Sequence, residues 1–73
     1  MPINIAVDAA FVYWTNSARG VANAGTVMKV PIGGGTPITL ACAQTQPWGI
    51  AVDATSVYWT NLSDGTVMKV SPK

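Results

Sequence analysis

Asp8 and Asp53 are the side chains whose type and placement come nearest to chemistry in this sequence. Each ends a short apolar run and is followed at once by alanine. One reading makes them members of a ring of carboxylates that binds a cation or a polar substrate. The favoured reading makes each an Asx-type turn, in which the side chain accepts backbone N–H groups just downstream. General acid–base work needs a histidine, a glutamate or paired acids within reach. The chain has no histidine, and Asp8, Asp53 and Asp64 are its only acidic side chains. Cys42 is the single cysteine, so no internal disulfide forms, and it lacks the base a nucleophile needs. It reads as a small buried residue. No catalytic residue, metal ligand or cofactor is expected.

The aromatic residues offer binding chemistry. Trp14 with Tyr13, and Trp59 with Tyr58, could stack on sugars. Neighbours on a strand point to opposite faces, so one of each pair must enter an interior interface, and core packing is favoured. Trp48 stands apart, in a link leading into a strand, with Ile3 as its counterpart. It is a candidate ligand contact at a rim, or a plug. Asn16 and Asn61 open loops; turn capping is favoured over ligand binding. Met28 and Met68 read as core filler. Gly33-Gly34-Gly35 lacks the following helix start and lysine of a phosphate loop, and reads as a strand-joining turn.

What positions these residues is a repeat. Residues 5–16 (IAVDAAFVYWTN) return at 50–61, changed only at Ala10/Thr55 and Phe11/Ser56. GTVMKV at 25–30 returns unchanged at 65–70. The first block recurs after 45 positions and the second after 40, so the first copy carries five extra residues within Ser17 to Ala24. Each copy reads as short runs of β-branched and aromatic residues separated by turn residues, with no helical period. In the first copy, 5–7, 12–15, 25–30 and 37–41 make four strands, followed by a polar link at 44–47. Strands apolar on both faces imply a sheet buried on both sides. A four-stranded meander repeated at this interval describes a propeller blade. The expected fold is therefore all-β, with a first blade over 1–46 and a second, three-stranded blade over 47–73. Aligning the copies places Lys73 opposite Gly33, so the second blade lacks its outer strand.

The Val-Tyr-Trp-Thr-Asn segments at 12–16 and 57–61 resemble the YWTD propeller repeat, with Asn16 and Asn61 where that family has aspartate. Pro47 to Asp53 resembles the first strand of NHL-type blades. The resemblance covers nearly the whole chain and implies blade architecture, commonly in rings of six. It also implies protein binding, as in relatives of the lipoprotein receptors. Some six-bladed relatives are metal-dependent hydrolases or lyases, but their sites draw on histidine and glutamate. Similar repeats occur in large bacterial proteins of unassigned function, so an exported parent protein fits.

Composition narrows the partners. Four basic and three acidic side chains give a net charge of +1, without the basic stripe that nucleic-acid binding needs. No apolar run approaches a membrane helix, and Met1 to Asn4 lacks the basic and apolar regions of a signal peptide. A chain of 73 residues has little core of its own. The expectation is a non-catalytic binding or scaffold module, natural fragment or engineered minimal unit. Its blades complete a ring by head-to-tail self-association, as a trimer in preference to a dimer or tetramer. The alternatives are a lectin-like carbohydrate binder and, behind it, a metal-dependent hydrolase.

Overall fold

The structure, a computed structural model, describes residues 2–17, 24–62 and 64–73. It is all-β, with two antiparallel sheets and no helix among the described residues. The first sheet runs in the order β1 (Pro2–Val7), β2 (Phe11–Asn16), β3 (Gly25–Pro31) and β4 (Ile38–Gln44). The second runs β5 (Pro47–Val52), β6 (Val57–Asn61) and β7 (Thr66–Val70). Both sheets are meanders, each strand pairing with the next in sequence. Residues 18–23, the greater part of the segment Ser17 to Ala24 in which a five-residue insertion is expected, lie outside the described residues.

The strands are longer than the apolar runs that announce them. β1 begins at Pro2, β2 takes in Asn16, and β4 continues to Gln44. Asn16 and Asn61 therefore end strands instead of opening loops; their ladder partners are Thr26 and Thr66. Trp48 likewise lies within β5, not in a link before it. A polar residue is compatible with a ladder wherever its backbone is paired, and apolar patterning does not register that.

The turn after each first strand is built identically. Asp8 N–H donates to Phe11 O and Asp53 N–H to Ser56 O, both at 3.0 Å. The carboxylates close the same turns from the side, Asp8 Oδ1 accepting from Ala10 and Phe11 and Asp53 Oδ1 from Thr55 and Ser56. The β3–β4 turn uses Gly34 and Gly35 at φ of 98° and 141°, where a side chain would be strained.

The two sheets meet face to face. β5 packs across β1, β2 and β3, and the joint core consists of Tyr13, Val27, Val57 and Trp59. Strand alternation then fixes which face each sheet contributes. The first sheet presents Phe11, Tyr13, Thr15 and Val27; the second presents Ile50, Val52, Val57 and Trp59. So Tyr13 is the buried aromatic of its pair in the first sheet, and Trp59 in the second. Cys42, expected in the interior, is exposed; it lies on β4, the outer strand of its sheet. Met68, read as core filler, is also exposed, on the outer strand β7.

Candidate functional site

The seam between the sheets is the most elaborated part of the molecule. At one end, Asp8 and Asp53 flank an open cleft of about 490 Å³, and Lys73 lies between them. Lys73 Nζ sits 2.6 Å from Asp8 Oδ2 and donates to the Asp53 carbonyl at 2.6 Å. Asp8 Oδ2 also accepts the Tyr13 hydroxyl at 2.7 Å, and Asp53 Oδ2 the Tyr58 hydroxyl at 2.6 Å.

These contacts decide what the carboxylates can do. The Lys73 ammonium, with the Ala10, Tyr13 and Phe11 donors, holds Asp8 far below the usual carboxylate range. The Tyr58 hydroxyl, with the Thr55 and Ser56 amides, holds Asp53 down to about 2. Burial, followed by the bond to Asp8, pushes the Tyr13 phenol up to about 12. A general acid needs the opposite shift, toward neutrality. At neutral pH both aspartates are ionised acceptors whose oxygens are occupied by the turn and its tyrosine.

Along the seam, Thr15 Oγ1 donates to the Trp48 carbonyl at 3.1 Å, joining β2 to β5. Gly25 lies so close to Pro47 that an added Cβ would overlap the proline ring and crowd the Gln44 carbonyl. At the far side Gln44 acts as a latch. Its Oε1 accepts the Trp59 indole N–H at 3.1 Å and the Asn61 amide at 2.9 Å. The next residue, Thr45, donates to Asp64 at 2.6 Å, tying the crossover to the β6–β7 turn. Gln44 drew no notice in the sequence, since a glutamine in a polar link carries no distinguishing signal.

The candidate ligand contacts are distributed as follows. Trp48 is 48% exposed and lies on the surface beside the seam. Asn61 is buried and bonded to Gln44 and Thr66, and Asn16 donates to Thr26 at 3.2 Å. The two asparagines sit in different sheets, at equivalent repeat positions. Among the described residues no group of three or more His, Cys, Asp or Glu side chains could hold a metal ion. No protein-family model, curated protein or solved structure matches this chain.

Equivalent residues of the two copies differ sharply in exposure. Val27 is fully buried, while its counterpart Val67 is 74% exposed. Ile5 and Val7 are exposed, while their counterparts Ile50 and Val52 pack on the core. Pro2 is exposed and Pro47 buried. The chain thus carries one seam, and the counterparts of its Val27, Ile50 and Val52 lie exposed on the outer faces.

Proposed function

We propose that the chain is a non-catalytic scaffold module of propeller blades that assembles head to tail with copies of itself. One observation carries this reading: Val27, Ile50 and Val52, which build the internal seam, have exposed counterparts in Val67, Ile5 and Val7 on the opposite outer faces. The Val67, Tyr58 and Thr60 face of one chain is equivalent to the Val27, Tyr13 and Thr15 face. The Ile5, Val7 and Trp14 face is equivalent to the Ile50, Val52 and Trp59 face, which within the chain covers Val27, Tyr13 and Thr15. Repeating the internal docking between chains covers both at once. Such heterologous contacts close into rings or run on as filaments. Propeller rings hold four to eight blades, and three chains supply six, the number implied by the resemblance to YWTD repeats.

The internal seam supplies the test. Thr15 touches the Trp48 carbonyl, so Thr60 of one chain should lie beside Ile3 of the next. Cysteines at positions 3 and 60, in a C42S background, should be joined between chains by a short bis-maleimide, in products no larger than a trimer. Absence of intermolecular products, or products extending without limit, would overturn the closed head-to-tail ring. The lectin-like alternative has a single observation in its favour, the exposed Trp48 ring. A scaffold should give no signal on a glycan array, whereas a lectin's signal should vanish with W48A.

A further inference from the structure

Among the described residues, the strand β7 has a free edge whose twin in the first sheet is occupied. In the first sheet, GTVMKV lies between β2 and β4, with Gly25 opposite Gln44, Val27 opposite Ala41, Met28 opposite Thr39 and Lys29 opposite Ile38. In the second sheet the last five residues of the same block, Thr66–Val70, pair with β6 only, and β7 is the last strand. Its outer backbone donors and acceptors therefore form an open template for an antiparallel strand. Identical side chains flank this edge and the filled one, so the filled one states what fits.

We propose that the β7 edge binds an extended segment from outside residues 1–73, with the chemistry of β4: Ile-Thr-Leu-Ala, two small residues, then glutamine. Backbone pairing supplies the affinity, and the alternating side chains supply the choice of partner. The β4 strand of a second copy is not the occupant. It already pairs with its own β3, and exchanging it fills one edge only by opening another.

The glutamine is part of the specification because of the latch. Gln44 at the end of β4 accepts from Trp59 and Asn61 of the following sheet. Trp14 and Asn16 are the counterparts of that pair on the outer face of the first sheet, where Asn16 donates to Thr26. In a head-to-tail assembly this face meets the second sheet of a neighbour, whose fourth-strand position is the vacant β7 edge. A strand added there ends beside Trp14 and Asn16, where a glutamine carbonyl would accept both donors. This half of the proposal rests on the head-to-tail reading; the strand pairing itself does not.

The test is a titration of the 73-residue chain with a fluorescent peptide of residues 36–46 carrying C42S, read by anisotropy and by amide hydrogen exchange. The result expected is saturable binding of one peptide per chain, with slowed exchange confined to Thr66–Val70. A peptide with proline at both Leu40 and Ala41 loses a donor that faces β7 whichever of the two points inward, and should not bind. Absence of saturable binding, or equal binding by the proline peptide, would overturn the proposal. A Q44A peptide should bind about tenfold more weakly to the assembled chain, having lost two hydrogen bonds. If the wild-type and Q44A peptides bind alike to a chain whose mass is monomeric, the head-to-tail reading fails and the added strand stands.

Discussion

Val67 and Val27 make a matched pair for testing the seam, because one substitution removes the same atoms from two environments. Val67→Ala deletes two methyl groups, worth about 1.6 kcal/mol at ~0.8 kcal/mol per buried group. In the isolated chain Val67 is 74% exposed, so little of that is lost on folding. Roughly three-quarters of it, about 1.2 kcal/mol, falls instead on each seam between chains. That weakens each contact about eightfold, and a closed trimer with three such contacts about 500-fold. Val27→Ala should behave oppositely. Val27 is fully buried within one chain, so the whole transfer loss and an added cavity penalty fall on folding. Sedimentation velocity over a dilution series reads association, and thermal melting at low concentration reads the chain itself. Should Val67→Ala leave association unchanged, or lower the melting temperature as far as Val27→Ala does, the equivalence of the outer faces to the internal seam is wrong.

Further outcomes follow from the same contacts. Gly25→Ala should disrupt the seam by forcing Pro47 away, whereas Gly65→Ala, with φ of 71° and open space around it, should cost only about 1 kcal/mol of backbone strain; chemical denaturation of the two variants separates them. Asp8 and Asp53 both have folded-state values below the ordinary 3.8, so the stability they contribute is complete above that value. It is lost as pH falls toward about 2, and a melting temperature unchanged across this interval would contradict the turn assignment. Lys73→Met should raise the acid titration of Asp8, seen by carboxyl NMR, while leaving Asp53 nearly unchanged, since Lys73 is the least of the influences on Asp53. Ile32→Lys should tighten association between chains about two- to fivefold at low salt by supplying Asp53 of a neighbour with the ammonium that Asp8 receives from Lys73; 1 M salt should abolish the gain.

The last expectation depends on a register that only the structure supplies. Ile32 N–H donates to Ala10 O, and Lys73 N–H donates to Thr55 O. Because Thr55 is the counterpart of Ala10, Lys73 occupies the place of Ile32 and not, as the alignment of copies suggests, that of Gly33. Ser71-Pro72 adds one residue after Val70, which a comparison of letters does not detect. The strand order, by contrast, was legible, since the repeat and the turn residues mark every strand. The Asx turns were legible too, because Asp followed by Ala and a β-branched run has few other uses. Gln44 was not. Its role depends on a two-residue crossover that folds β4 back against β6, and nothing in the spacing of glutamine to tryptophan implies that approach. Nor could the sequence say that Tyr13 and Trp59, unlike residues of equivalent strands, would be the aromatics buried together. Which face is covered depends on which neighbour is present, and identical copies have different neighbours.

The claim that the outer faces are two halves of a seam is tested most directly by the mass of the 73-residue chain in solution. Light scattering coupled to size exclusion should give three times the 7.6 kDa of one chain, persisting on dilution, with a melting temperature that rises with protein concentration. A cooperative melt from a stable species of 7.6 kDa, independent of concentration, would contradict it.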